Sequence, residues 1–129
     1  MRKVGLQLYS IKELTGKDFF GTFKEVAKIG YDGVEFAGFF DAPASELKKV
    51  LDDSGIVACG SHTGIDALEG ELNKVIEYNL ELGNKYVICP GLPTHMRNSY
   101  DAYMRLADKF NEIGQKCKDQ GIQFGYHNH

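Results

Sequence analysis

The sequence predicts an α/β fold: four βα units and a fifth strand in a parallel sheet, amounting to part of a (β/α)8 barrel. Three observations lead there. First, four helix-like stretches end at Gly30, Gly55, Gly83 and Gly121, and each runs directly into a short apolar segment. Glycine just past a helix supplies the left-handed residue that ends it, and an apolar run after it is what a strand of a parallel sheet looks like. Second, the alternation of such units implies a parallel sheet with right-handed crossovers. Third, three of these strands finish on ionisable side chains, Glu35, His62 and the His127/His129 pair. In α/β proteins the C-terminal ends of the strands are where chemistry sits.

The elements follow in order. Val4 to Tyr9 reads as a first strand. Thr15-x-x-Asp18 resembles a capping box, with Asp in place of Glu or Gln, and opens a helix whose Phe19, Phe20, Phe23, Val26 and Ala27 recur at helical spacing. The second strand is expected within residues 30–36 (GYDGVEF). Pro43 and Ser45 open a helix through Leu47, Val50 and Leu51 that Gly55 stops, and the third strand runs to His62. A single third helix is expected from near Asp66, with Leu68, Leu72, Val75, Ile76 and Asn79 on one face. After the fourth strand, Asn98 or Ser99 opens the fourth helix. Its stripe is Tyr103, Leu106, Ala107, Phe110, Ile113, Gly114 and Cys117, and such stripes are core packing rather than a cofactor box.

Two architectures accommodate five parallel strands, an open doubly wound sheet or the first part of a barrel. Nucleotide-binding doubly wound domains carry a glycine-rich phosphate turn after strand one. Here that turn, residues 9–16, holds one glycine and no anion nest, which favours the barrel. A full barrel needs about 250 residues, and this chain has 129. With no linker or low-complexity tract, residues 1–129 read as one domain.

A composition of 43% hydrophobic and 26% charged residues is that of a soluble globular domain. The net charge of −3 gives no electrostatic case for nucleic-acid binding. Short basic runs such as Lys48-Lys49 read as solvated helix faces. Cys59, Cys89 and Cys117 are odd in number and far apart, so buried thiols in a reducing compartment are expected, rather than disulfides. The opening residues support neither a signal peptide nor a membrane span, so the expected location is cytoplasmic.

Side chains alternate along a strand, which puts His127 and His129 on one face. Two imidazoles there could bind a divalent metal, bind sugar hydroxyls or shuttle protons. The plainer alternative is a frayed, exposed terminus. His62, flanked by Gly60, Ser61 and Gly64, could approach a ligand closely or be a hydrogen-bonded structural residue. Glu35 lies inside an apolar run. Pointing inward it needs a cation, a metal or a donor partner; pointing outward it would meet a surface lysine. Cys89 precedes Pro90 and has no evident base, so a plain buried cysteine is the reading. His95, in the loop after Pro93, is expected to be exposed.

Taken together, residues 4–10 (VGLQLYS), 30–35 (GYDGVE), 60–64 (GSHTG) and 126–129 (YHNH) resemble the sugar phosphate isomerase/epimerase family of xylose isomerase-like TIM barrels. The resemblance covers essentially the whole chain, and only the N-terminal half of such a protein. It implies a divalent cation (Mn, Mg, Zn or Co) at the C-terminal rim and proton transfer next to a carbonyl on a small sugar or polyol. Carried over by position, Tyr9, Glu35, His62 and His129 would bind substrate. His127 stands where many relatives place their first metal-binding Glu, which would make it a metal ligand. The remaining ligands, expected on strands six to eight, are not in this sequence, so the isolated chain is expected to be incomplete as an enzyme. The competing expectation is a non-catalytic half-barrel that associates with itself through exposed sheet edges and holds sugar weakly. An endonuclease IV-type repair nuclease would require a basic surface and more histidines.

Overall fold

In the computed structural model, which describes residues 2–129, Gly30, Gly55, Gly83 and Gly121 all adopt left-handed backbone, with φ of 109°, 71°, 73° and 82°. Each ends a helix where the sequence places the stop, and each turn delivers the chain to a strand. The strands are β1 (Gly5–Gln7), β2 (Gly33–Phe36), β3 (Val57–His62), β4 (Tyr86–Cys89) and β5 (Gln123–Tyr126). The helices are α1 (Lys12–Lys17), α2 (Phe19–Ile29), α3 (Ala44–Ser54), α4 (Ile65–Gly70), α5 (Leu72–Glu81) and α6 (Tyr100–Asp119).

All four strand pairings are parallel, and the spatial order is β1-β2-β3-β4-β5. A doubly wound sheet reverses its strand order partway across; a sheet wound in one direction throughout is the start of a barrel wall. The chain is therefore a partial (β/α)8 barrel. Both β1 and β5 pair on one side only among the described residues.

Alternation divides the strand residues between two faces. Val34, Phe36, Val87 and Cys89 are fully buried, packing with helix residues such as Phe23, Leu47, Ile113 and Cys117 in two adjoining apolar clusters. The opposite face would be the interior of a closed barrel. Here it is open: Val57 and Tyr86 are 55% and 49% exposed.

That open face corrects one expectation. Cys89 and Cys117 are buried as the sequence suggests, but Cys59 is exposed, because its position on β3 directs it to the uncovered side. Helix boundaries also differ from expectation. Thr15 does not cap the first helix; it lies within α1, and its hydroxyl donates to the Lys12 carbonyl. The cap is Asp18, whose carboxylate accepts from Gly21 N at 2.9 Å and starts a separate α2. The single helix expected from Asp66 is likewise two, broken at Glu71, whose φ of −136° is not helical. In α6 the buried line is Ala102, Leu106, Ile113 and Cys117, while Tyr103 and Ala107 face solvent. Ser99 caps that helix by accepting from Ala102 N.

One buried polar cluster ties β3 to α5. The Ser61 hydroxyl donates to Asn79 Oδ1 at 2.7 Å, and Asn84 Nδ2 donates to the same oxygen at 2.8 Å and to the Tyr86 carbonyl at 2.8 Å. Asn79 Nδ2 in turn donates to the Val75 carbonyl. All three side chains are essentially inaccessible, so each lost partner leaves a desolvated polar group. Asn79→Ala is expected to lower stability by about 2–3 kcal/mol, read as a lower urea midpoint with an unchanged denaturant slope.

Candidate functional site

Where β1, β2 and β3 end, three polar side chains meet on the open face. The parallel register sets Gln7 beside Glu35. Between β2 and β3 the register slips by one residue: Val34 pairs with Ala58, but Glu35 pairs with Gly60 and Phe36 with Ser61. A one-residue slip exchanges the faces of everything beyond it. In consequence Ser61 turns to the buried asparagines, and His62 turns to the open side.

Gln7 is locked in orientation. Its Oε1 accepts from the Tyr9 backbone N–H at 2.8 Å, so Nε2 must face the other way, where it donates to Glu35 Oε1 at 2.6 Å. His62 Nε2 lies 3.3 Å from that carboxylate oxygen and 3.4 Å from Gln7 Nε2. Glu35 thus points inward and finds its donor partner in Gln7. Gly60 makes the arrangement possible, since a Cβ there would come within 2.7 Å of Glu35 Oε2.

The histidines extend this corner into a row. The His62 and His127 ring centroids are 5.2 Å apart, edge to face, and those of His127 and His129 are 4.9 Å apart. The ladder carries one step beyond β5, His127 N donating to the Cys89 carbonyl at 2.9 Å, which fixes where the row begins. His129 Nε2 donates to the Pro90 carbonyl at 2.8 Å, which requires a proton on that nitrogen. Gln7, Tyr9, His62, His127 and His129 line a cavity of about 540 Å³, walled on its remaining sides by Ala37, Gly38 and Pro90. Tyr9 stands at the rim, 61% exposed, with the Lys12 ammonium 4.5 Å over its ring. The loop carrying Ala37 and Gly38 is anchored by the Tyr78 hydroxyl, which donates to the Ala42 carbonyl at 2.6 Å. Burial, with Glu81 adding to it, pushes that phenol up to about 12.

Burial holds the His62 pKa below the ordinary 6.5, and His127 and His129 push it the same way; Glu35 pulls upward and does not win. A neutral imidazole at pH 7 can accept or donate a proton beside the Glu35 carboxylate.

The five residues singled out from sequence all lie at this mouth, Glu35 just behind the lining, hydrogen-bonded through Gln7. His95 lies outside it and is exposed. Cys89 is buried, its thiol directed to the Gly91 carbonyl. Gln7 was not singled out. An amide inside the apolar run of β1 raises the same demand for a partner as Glu35 does, and that demand would have found it.

Among the described residues no group of three or more His, Cys, Asp or Glu side chains is placed to hold a metal ion. The donors present do not fit a closed metal centre. One nitrogen of His129 is engaged by a carbonyl, and Glu35 Oε1 is taken by an amide. His62, His127 and the free Nδ1 of His129 remain, and they are not grouped to hold one ion.

With this geometry in place, comparison with known proteins is decisive for family. The model of the xylose isomerase-like TIM barrel matches residues 23–129. The chain belongs to that family. Solved structures agree in fold. A sugar phosphate isomerase/epimerase from Parabacteroides distasonis ATCC 8503 superposes with a TM-score of 0.79 at 26% identity, over 99% of this chain and 51% of its own. An AP endonuclease, family 2, from Brucella melitensis gives 0.79 at 15% identity, over 98% and 55%. An L-ribulose 3-epimerase gives 0.60 at 17%, over 96% and 48%. The chain thus spans about half the length of the solved relatives it matches. No curated protein matches it.

Two outcomes follow from the site's geometry. His62 should titrate below pH 6.5 in an NMR pH series. The unfolded chain then takes up its proton first as pH falls. His62's contribution to stability is therefore full above about pH 6.5 and declines below it, until the folded imidazole also protonates. His62→Gln should accordingly lose less stability than the parent between pH 8 and pH 5. Gly60→Ala should displace the Glu35 carboxylate and change the His62 titration midpoint, while Gly64→Ala, where the added methyl meets open space, should leave it unchanged.

Proposed function

We propose that this chain forms the sugar- or polyol-binding side of an isomerase/epimerase-type mouth. One observation carries the reading: Gln7, His62, His127 and His129 line a single cavity at the C-terminal ends of parallel strands, with Glu35 behind them, hydrogen-bonded to Gln7 and next to His62. Hydroxyl groups both donate and accept, and this lining offers an amide and imidazoles, backed by the Glu35 carboxylate that Gln7 bonds. Tyr9 offers a ring face for the C–H side of a sugar. In the proposed chemistry a proton moves next to a carbonyl, and neutral His62 beside Glu35 is the pair suited to hold or pass it.

A divalent metal would polarise the substrate oxygen when bound. His127's assignment as one of its ligands rests on its place at the end of β5, and the other donors of this chain do not complete the set. We therefore assign the described residues to binding, orienting and proton holding, and propose that turnover needs further groups. No helix among the described residues is long and apolar enough to cross a membrane; a cytoplasmic location is part of the proposal, resting on the sequence's three widely spaced cysteines.

A second reading, self-association of a non-catalytic half-barrel, draws on the exposed Val57 and Tyr86 and on the single-sided pairing of β1 and β5 among the described residues. Sedimentation equilibrium separates the two readings, since concentration-dependent dimers without sugar binding favour the second. For the first, titrating D-fructose or sorbitol into labelled protein should shift the His62 and His127 ring resonances. Glu35→Ala should weaken binding by about tenfold or more, the scale of one hydrogen bond to a charged group. Unmoved histidine resonances across a panel of ketoses and polyols would contradict the proposal.

A further inference from the structure

We infer that a crevice between α4 and α6, separate from the mouth, is a binding site for a phosphate group. It has a volume of about 260 Å³ and shares no lining residue with the mouth cavity. Part of its lining is apolar: Ala102 and Leu106 of α6 are buried, with Met96 beside them. The rest carries charge and ring nitrogens: His95 from the loop after β4, Arg105 and Lys109 from α6, and Glu69 from α4. Lys109 Nζ lies 2.9 Å from Glu69 Oε1 and ties the two helices together. Among the described residues, every other lysine ion pair lies within a single helix or its cap.

The charges in this crevice do not cancel. Glu69 offsets Lys109 and takes one ammonium hydrogen, which leaves others available. Arg105 has no such counter-charge. Helix spacing offers it two, Asp101 four residues before and Asp108 three residues after. Among the described residues neither pairs with it. Its side chain lines the crevice instead, one turn from the like-charged Lys109. Two like charges at that spacing are unfavourable by themselves, and an anion held between them reverses the sign of the interaction.

Donors therefore come from three groups: a planar guanidinium fork, an ammonium and the His95 ring. A tetrahedral phosphate uses such a set better than a planar carboxylate, since the fork takes two of its oxygens and leaves others for the ammonium and the ring. The N-terminus of α6 is not what holds the anion, because the Ala102 N–H there already donates to Ser99 Oγ at 3.2 Å. A free phosphate ion and the phosphate of a small ester present the same group. The apolar lining is where the carbon part of an ester would lie.

The experiment titrates inorganic phosphate and glycerol 1-phosphate into the labelled chain by NMR, each against sodium chloride of equal ionic strength. Both phosphates should shift the Ala102 amide and the His95 ring saturably, and chloride should not. Tighter binding of the ester, or of the free ion, supports the site and says which of the two occupies it. Arg105 is exposed, so Arg105→Gln leaves the fold intact; it should weaken binding about tenfold, the scale of a hydrogen bond to a charged group. Lys118→Gln removes the same charge from the same helix outside the crevice and should leave affinity within about twofold. Shifts that chloride reproduces, equal losses in the two variants, or shifts confined to the mouth histidines would overturn the proposal. None of these outcomes bears on the sugar-binding reading, which concerns a different cavity.

Discussion

The molecule's polar end depends on a hydrogen bond that no helix or sheet ladder supplies, from the Gln7 amide to the Glu35 carboxylate at 2.6 Å. A carboxylate among apolar strand residues is costly unless a donor reaches it. Gln7 reaches it because a parallel register places the two side by side, and because the Tyr9 N–H holds the amide the right way round. With the carboxylate fixed, His62 acquires a defined neighbour, and the row of imidazoles continues from it to His129.

The register slip in β3 connects this corner to the core. It turns Ser61 toward Asn79 and Asn84 and His62 toward the cavity, so one irregularity places both a buried polar anchor and a cavity-lining imidazole. The anchor makes the slip costly to undo, since reverting it would strand three buried polar side chains. Stability and site geometry are thus set by the same residues. The apolar helix-facing side of the sheet supplies most of the burial and says nothing about chemistry. The opposite side carries the Gln7–Glu35–His62 corner and stays open.

Much of this was legible in the chain itself. The four stop glycines located the helix ends, and the ionisable residues after them located the mouth, because both signals depend on local sequence. The splits between α1 and α2 and between α4 and α5 were less visible. An apolar stripe continues in phase across a short break, so periodicity reports one helix where the Asp18 cap and the non-helical Glu71 make two. The exposure of Cys59 was hidden for another reason: a cysteine in a strand reads as buried until the face it occupies is known to be uncovered. The slip in β3 left no sequence signal beyond Gly60, whose lack of a side chain makes room for Glu35. Gln7's role was missed because it is a pairing across 28 residues.

The central claim is that polar groups from separate parallel strands share one mouth. Ring-to-ring nuclear Overhauser effects in the metal-free chain test it most directly. The account predicts a cross-peak between the His62 and His127 imidazoles, whose centroids lie 5.2 Å apart. Its absence in a folded sample would contradict the account.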